Sequence, residues 1–265
     1  MMIHKAKKSL GQNFLKSKGA LLAMCNAGDL FKNDIVLEIG PGKGALTEYL
    51  LKSVNKVIAI EKDPSLCDIL SEKFQDEITS GHLVLVKGDI LEFDPTVYDF
   101  KSGEYKIIAN IPYNITGAIF KKFLTEDIQP QTMVLLVQKE VAERIVARDN
   151  KESILSISVK AYGTPRYITK VSKKFFSPAP KVDSAIIQIT NISKTNFRDQ
   201  KDEDWFFQIV KAGFAHKRKV LIRNLDAVVE KSKIKEFFEK NQVSEKVRAE
   251  DLKIEDWMKL AKSLK

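Results

Sequence analysis

Four consecutive residues, Asn110-Ile-Pro-Tyr113, combine an amide, a rigid turn and an aromatic ring after an apolar run. The Asn110 side-chain oxygen and the backbone carbonyl of Ile111 or Pro112 can each accept one hydrogen from an amino group. These bonds draw a delocalised nitrogen lone pair out of conjugation, as nucleophilic attack by the adenine N6 atom requires. Pro112 fixes the turn, and Tyr113 offers a ring face to an unstacked base. The motif predicts adenine N6 chemistry; the structural alternative is an Asn-x-Pro turn that ends a buried strand.

A glycine-rich segment with Gly40, Gly42 and Gly44 follows an apolar run that contains Glu38. Glycines let the backbone turn sharply and approach a bound small molecule, which a Cβ atom would prevent. The G-x-G-x-G spacing differs from the G-x-G-x-x-G pattern that seats a dinucleotide pyrophosphate on a helix N-terminus. The segment therefore favours a cofactor without phosphate groups.

Two further acids follow the next predicted strands. Glu61 can accept hydrogen bonds from both hydroxyls of a ribose, and Asp89, before Ile90, can accept one from an adenine amine. Acidic surroundings also suit a sulfonium cation. With the glycine turn in register before them, these acids predict S-adenosylmethionine as the cofactor, with a nicotinamide cofactor as the alternative.

The segment from Phe175 to Val182 holds two aromatic residues and two prolines in a stiff loop. We interpret Phe176 as a second stacking face for a base and assign Phe175 to the core, although both rings could be core residues.

Short β-branched runs alternate with helical stretches from residue 35 to about 190, which is typical of an α/β protein with a Rossmann-like parallel sheet and helices on both faces. Runs this apolar belong to strands covered on both sides. The predicted strands are Ile35 to Ile39, Lys56 to Ile60, Leu83 to Val86, Tyr105 to Ala109, Thr132 to Val137, Ile154 to Ala161 and Ser184 to Thr190.

After about residue 191, apolar residues recur at helical spacing, as in Ile234, Phe237 and Phe238. We therefore predict a catalytic, cofactor-binding methyltransferase domain over residues 1–190, with a basic N-terminal arm over 1–15. A small all-helical, RNA-binding domain is predicted over residues 191–265, with a polar linker over 190–204.

The net charge of +9 indicates a polyanionic partner, although a solvated lysine-rich surface is the plain alternative. Residues 191–265 hold 18 basic against 13 acidic residues, which makes the smaller domain the more basic one per residue. The basic cluster of this helical domain and the N-terminal arm are predicted to contact RNA phosphates. The RNA-binding candidates are Lys7, Lys8, Lys217, Arg218, Lys219 and Arg223.

Other functional classes lack support in the composition. Cys25 and Cys67 lie far apart, and three histidines stand apart from each other and from the cysteines, so we expect no disulfide and no zinc site. We expect no metal site, with magnesium held by carboxylates as the alternative. Apolar stretches such as Met133–Val137 are far shorter than the roughly 20 residues that span a bilayer. The basic N-terminus has no apolar secretion segment. We expect a cytoplasmic protein without membrane contact.

Taken together, these segments resemble the ribosomal RNA adenine dimethyltransferase family, most closely its small-subunit branch. The matching segments follow one another along nearly the whole chain, and as a set they are highly specific. They are Lys8 to Leu15, Glu38 to Gly44, Glu61, Gly88 to Ile90, Asn110 to Tyr113, Phe176 to Val182 and Phe214 to Lys219.

The resemblance implies that S-adenosylmethionine donates methyl groups to N6 of two adjacent adenines in the 3′-terminal hairpin of 16S ribosomal RNA. It implies an assembling small subunit as substrate, and we expect a monomer that does not act on DNA. Alternatives are a large-subunit (23S) enzyme of the macrolide-resistance type and an assembly factor whose main role is binding. By resemblance and motif, the cofactor residues are Asn13, Leu15, Glu38, Gly40, Gly42, Glu61, Asp89, Ile90 and Asn110.

Overall fold

The computed structural model describes residues 6–265. Nine strands lie within this range: β1 (Phe14–Leu15), β2 (Ile35–Ile39), β3 (Lys56–Glu61), β4 (Leu83–Lys87), β5 (Tyr105–Asn110), β6 (Thr132–Gln138), β7 (Thr164–Val171), β8 (Phe176–Ser177) and β9 (Ser184–Thr190). The same range holds eleven α-helices: α1 (Lys18–Ala27), α2 (Thr47–Ser53), α3 (Pro64–Lys73), α4 (Gln75–Thr79), α5 (Thr116–Thr125), α6 (Lys139–Val146), α7 (Ile154–Lys160), α8 (Gln200–Gly213), α9 (Leu221–Leu225), α10 (Lys231–Lys240) and α11 (Ile254–Ser263).

Seven strands form one sheet in the order β4-β3-β2-β5-β6-β9-β7, and β1 pairs with β8 in a separate two-stranded ribbon. Strands β2 to β6 run parallel, whereas β9 is antiparallel to both of its neighbours. The chain winds from β2 toward one edge and resumes at β5 toward the other. The neighbouring strands β2 and β5 therefore flank a topological switch point, where open α/β sheets bind ligands beyond the carboxyl ends of their strands.

The central strands are buried because their side chains are apolar on both faces. Leu37 of β2, Ile107 of β5 and Leu135 of β6 are fully buried, and the helices cover both sides of the sheet. A sheet packed in this way is a rigid platform for the loops at its carboxyl edge.

Helix α3 begins directly after β3 because Asp63 caps it and Pro64 occupies its first turn. The Asp63 carboxylate accepts hydrogen bonds from the backbone N–H and the hydroxyl of Ser65. This tight connection leaves Glu61 at the very end of β3.

The described residues form two compact units, which are residues up to 142 with 164–192, and residues 143–163 with 193–265. In the second unit, Tyr162 donates a hydrogen bond of 2.6 Å to Glu203, and Trp257 is fully buried against Phe214. Gly213 allows this packing, because a Cβ atom there would lie 2.4 Å from the Trp257 ring. No helix of residues 6–265 combines the length and apolarity that a bilayer crossing demands.

The predicted strands match β2 to β6 and β9. The prediction of a strand from Ile154 to Ala161 is wrong, since these residues form α7. The predicted boundary at residue 190 lies close to the observed one at 192, yet residues 143–163 group with the second unit rather than with the first. Helix α8 begins at Gln200, inside the predicted linker. Strand β7 was not predicted.

Candidate active site

A cavity of about 560 Å³ opens at the carboxyl ends of β2, β3, β4 and β5, in the first unit. Its size is that of a small-molecule site. The lining includes most of the predicted cofactor and catalytic residues: Asn13, Leu15, Glu38, Gly40, Gly42, Glu61, Asp89, Ile90, Asn110, Pro112 and Tyr113.

The glycine-rich turn after β2 forms one wall of this cavity. Gly40 has a φ of +64°, which L side chains rarely adopt, and a Cβ atom built there would meet no protein atom within 4 Å. Gly42 has a φ of +62°, and its Cβ atom would lie 3.0 Å from the Phe14 ring. The turn thus presents bare backbone to the cavity at Gly40 and receives the N-terminal segment at Gly42.

Glu61 lies at the tip of β3 as a nearly buried carboxylate. One of its oxygens accepts the Gly42 N–H at 3.0 Å, and the other accepts the Asp63 N–H at 2.9 Å. Burial raises the pKa of Glu61, while the two amide bonds oppose this rise. Since each carboxylate oxygen can accept a second hydrogen bond, Glu61 retains capacity for two hydroxyl donors.

Glu38 is a second buried acid next to the same turn, and Thr47 donates a hydrogen bond of 2.7 Å to it. Burial raises the pKa of Glu38 to about 8, and the neighbouring Glu61 adds to this rise, while the Thr47 hydrogen bond opposes it. Glu38 is therefore largely protonated near neutral pH, and a cationic ligand nearby would favour its ionised form.

Asp89 follows β4 and is partly exposed. Its carboxylate accepts hydrogen bonds from Lys62 at 2.6 Å and from the Leu91 N–H at 3.0 Å. The Lys62 hydrogen bond is the main reason that the pKa of Asp89 lies below its usual range. Ile90, the next residue, is buried at the cavity wall. Asp89 therefore remains an ionised acceptor at the cavity edge.

Asn110 ends β5 beside the switch point. Its side-chain Nδ2 donates a hydrogen bond of 3.2 Å to the backbone carbonyl of Asn13. Because the nitrogen end of the amide is engaged in this way, Oδ1 is the opposite end and is available as an acceptor. That this oxygen accepts a hydrogen from a substrate amine stays a prediction of the Asn-Ile-Pro-Tyr motif.

Pro112 and Tyr113 form the turn after Asn110. Pro112 has an extended backbone (φ −60°, ψ 132°) and precedes a short 3₁₀ helix, Tyr113–Ile115. The Tyr113 hydroxyl lies 2.6 Å from the Ser184 hydroxyl, and burial raises the pKa of the phenol. The Tyr113 ring is half-buried and held at its tip, so its orientation is fixed.

The second predicted stacking ring is not brought to the cavity. Phe176 is 5% exposed and packs in the core with Leu15, its partner in the β1–β8 ribbon. The exposed ring of the pair is Phe175, at 40%. Phe176 is thus the buried ring of the two, because pairing with β1 turns it inward, and Phe175 is the more exposed one.

The N-terminal segment is fastened to the first unit by a residue that the sequence analysis missed. Asp63 accepts hydrogen bonds from Lys7 at 2.6 Å and from Gln12 at 2.9 Å. Lys7, predicted to contact RNA, is thus engaged within the protein. An acid two residues beyond Glu61 was the available sequence signal, but it indicates only a helix cap.

In the second unit, Lys217, Arg218 and Lys219 lie exposed in the turn between α8 and α9, and Arg223 lies exposed on α9. The buried Asn224 stabilises this basic turn by donating hydrogen bonds to the carbonyls of Gly213 and His216. The Lys8 side chain and residues 1–5 of the predicted arm lie outside the described residues. Within the described range, no group of three or more histidine, cysteine or acidic side chains is arranged to hold a metal ion.

Relatives with known names resemble the chain along nearly its full length. It is 41% identical over 258 residues to a ribosomal RNA small subunit methyltransferase A of Dehalococcoides mccartyi, covering 97% of this chain and 87% of that protein. The protein of the same name from Fusobacterium nucleatum is 39% identical over 264 residues, covering 98% of each chain.

Solved structures give the same picture of the fold. A dimethyladenosine transferase from Plasmodium falciparum superposes with a TM-score of 0.77 at 27% identity, covering 93% of this chain and 95% of that one. The 23S rRNA methyltransferase ErmE has a TM-score of 0.79 at 24% identity, covering 95% and 99%, which supports the fold. The model of the family described as ribosomal RNA adenine dimethylase matches residues 3–265. With most of its first-unit motifs at one cavity and the family match spanning both units, the chain is a member of the ribosomal RNA adenine dimethylase family.

Proposed function

We propose that the protein transfers methyl groups from S-adenosylmethionine to the N6 atom of adenines in small-subunit ribosomal RNA. The hydrogen bond from Asn110 Nδ2 to the Asn13 carbonyl carries this proposal, because it leaves the amide oxygen as an acceptor at the edge of the cavity. A neutral acceptor is what an adenine amine needs, since the amine carries hydrogens and no charge.

The cavity residues fit S-adenosylmethionine. The bare backbone at Gly40 admits a ligand where a side chain would obstruct it, Glu61 can accept the ribose hydroxyls, and Asp89 can accept an adenine amine. A positive sulfonium would in turn favour the ionised forms of Glu38 and Glu61, whose pKa values burial raises. When bound, the cofactor would supply the methyl group as an electrophile on its sulfonium sulfur.

The protein's own contribution to the reaction is to orient the target amine. Asn110 Oδ1 accepts one N6 hydrogen and the carbonyl of Ile111 or Pro112 accepts the other, which localises the nitrogen lone pair. Tyr113, fixed by Ser184, stacks on the adenine ring. The proton leaves after the methyl group has been transferred, so water suffices as the base.

The same arrangement accounts for dimethylation. After one transfer, the N6 atom still carries one hydrogen, which Asn110 Oδ1 can accept for a second reaction. After two transfers no hydrogen remains for either acceptor. We therefore expect the reaction to stop at N6,N6-dimethyladenosine.

For the substrate, we propose two adjacent adenines in the 3′-terminal hairpin of 16S ribosomal RNA within an immature small subunit. The names of the relatives support the small subunit, and the exposed basic turn in the second unit supports a contact with phosphates. We expect the enzyme to work as a monomer in the cytoplasm. The protein would combine a catalytic first unit with an RNA-binding second unit.

The direct test supplies labelled S-adenosylmethionine and small subunits from cells that lack this modification. We expect label in N6,N6-dimethyladenosine after nuclease digestion, and none on matched large subunits or duplex DNA. Label on large subunits would favour the macrolide-resistance type of enzyme. Tight binding to small subunits without any transfer would favour an assembly factor.

A further inference from the structure

We infer that Asp63 is a positioning residue that anchors the N-terminal strap, defined as residues 7–15, across the cofactor cavity and so retains the cofactor. The inference deepens the proposed function and rests on it for the identity of the cofactor. The anchoring itself is a property of the protein without ligand.

The Asp63 side chain is fully buried, and the strap supplies donors to both of its oxygens. Lys7 Nζ donates to Oδ1 at 2.6 Å, and Gln12 Nε2 donates to Oδ2 at 2.9 Å. The strap also closes on itself, since the Lys7 N–H donates to the Gln12 side chain at 2.8 Å. Loss of these donors would leave a buried carboxylate with fewer hydrogen bonds, which costs free energy. The anchored state is therefore strongly favoured.

The other end of the strap is held on the far side of the cavity. A Cβ atom on Gly11 would lie 3.1 Å from Asn114 and 3.4 Å from Pro112, so the strap backbone runs close to the turn after β5. The backbone carbonyl of Asn13 accepts a hydrogen bond from Asn110 Nδ2, and β1 (Phe14–Leu15) pairs with β8. The strap therefore spans the cavity from the end of β3 to the end of β5.

The strap is also part of the cavity wall, since every residue from Ser9 to Leu15 lines it. Asp63 joins this wall to the proposed ribose site, because its backbone N–H donates to Glu61 at 2.9 Å. Release of the Asp63 end would open the wall beside Glu61, while the β1–β8 pairing would still hold Asn13. We therefore expect loss of the anchor to weaken cofactor retention and to spare the orientation of Asn110.

The experiment compares Asp63→Asn and Lys7→Met with Lys101→Met, which removes an exposed lysine from a long ion pair with Glu104. Asp63→Asn keeps an oxygen to cap α3 at Ser65, and Lys7→Met does not touch the cap. Hydrogen exchange of the strap amides in the free protein measures anchoring. Stopped-flow dissociation of S-adenosylhomocysteine measures retention, and steady-state kinetics separate KM for the methyl donor from kcat.

We expect both test variants to exchange strap amides faster and to release S-adenosylhomocysteine about tenfold faster, the change for one lost ionic hydrogen bond. KM for the methyl donor should rise, whereas kcat should stay within about twofold of the wild-type value. Lys101→Met should match the wild type in both constants. Unchanged strap exchange would overturn the anchoring, and faster exchange with unchanged release would overturn its role in retention. If the wild-type chain bound no cofactor, the proposed function would fail, while the exchange data would still decide the anchoring.

Discussion

Asn110 Nδ2 donates a hydrogen bond of 3.2 Å to the backbone carbonyl of Asn13, which lies 97 residues earlier in the chain. The N-terminal strap thus fixes which end of the Asn110 amide is engaged within the protein. An ionised aspartate at position 110 would have no hydrogen to donate to this carbonyl and would add a fourth acid to the cavity lining, beside Glu38, Glu61 and Asp89. An amide can make this contact and an ionised carboxylate cannot.

The first prediction concerns the pH dependence of stability. The pKa of Glu38 is about 8 in the folded chain, against 4.5 for an ordinary glutamate, because the side chain is buried beside Glu61. The stability that this group contributes is therefore complete below about pH 4.5 and is lost as the pH rises through about 8. The Glu38→Gln side chain cannot ionise. The free energy of unfolding of this variant should therefore fall by a few kcal/mol less than that of the wild type over this pH window.

Urea unfolding near pH 5 and near pH 8 measures this difference, with the exposed Glu104→Gln variant as the control. Parallel pH profiles for the wild type and Glu38→Gln would contradict the prediction. Glu104→Gln should follow the wild type at both pH values.

The second prediction separates backbone strain from cofactor binding. Gly40 and Gly81 have positive φ angles of +64° and +77°, and a Cβ atom at either position would meet nothing within 4 Å. Alanine at either position should lower stability by about 1–2 kcal/mol. Only Gly40→Ala should also abolish tight cofactor binding, because its methyl group enters the cavity. Calorimetric titration checks this, and equal cofactor affinities for the two variants would disprove the assignment of the cavity.

The third prediction concerns the stacking ring. Tyr113→Phe keeps the ring and loses the hydrogen bond to Ser184, so kcat/KM for small subunits should fall only a few-fold. Tyr113→Ala removes the ring face and should lower kcat/KM by about tenfold or more. Similar losses in both variants would show that the hydroxyl matters rather than the ring.

The fourth prediction concerns the basic turn of the second unit. Replacement of Lys217, Arg218, Lys219 and Arg223 by glutamine should weaken binding to small subunits. The slope of log affinity against log salt should become shallower by about 0.7 to 0.9 per lost phosphate contact. The same charge change at the four exposed lysines of α10 is the matched control. Equal effects in the two variants would indicate a general charge effect rather than a contact surface.

Much of the first unit could be predicted because buried parallel strands have continuous apolar sequences. The strands β2 to β6 and β9 were found in this way, and Glu61, Asp89 and Asn110 follow from them, since parallel strands end at one edge of the sheet. Much of the cavity lining can thus be read from local sequence patterns.

Strand β7 was not predicted because it is an edge strand with a polar, half-exposed sequence that begins Thr-Pro-Arg. The opposite error affected Ile154 to Ala161, whose apolar run reads as a strand. Ser153 and Ser156 form a capping box there and begin a helix. A short apolar run cannot be assigned to strand or helix by its periodicity alone.

Long-range contacts account for the remaining differences. Phe176 turns inward because it pairs with Leu15, and Lys7 reaches Asp63 across 56 residues. The partner of Asn110 is a backbone carbonyl, which leaves no mark in the sequence. These features depend on the folded path of the N-terminal strap, which local patterns do not specify.

The fifth prediction addresses the central claim, that Asn110 orients the target amine. The most direct measurement is the single-turnover rate of methyl transfer to unmethylated small subunits, at saturating S-adenosylmethionine, for Asn110→Ala and for the exposed control Asn55→Ala. We predict a loss of about 100-fold or more for Asn110→Ala, the usual cost of removing one oriented polar group from a transition state, and an unchanged rate for the control. A wild-type rate in Asn110→Ala would contradict the account.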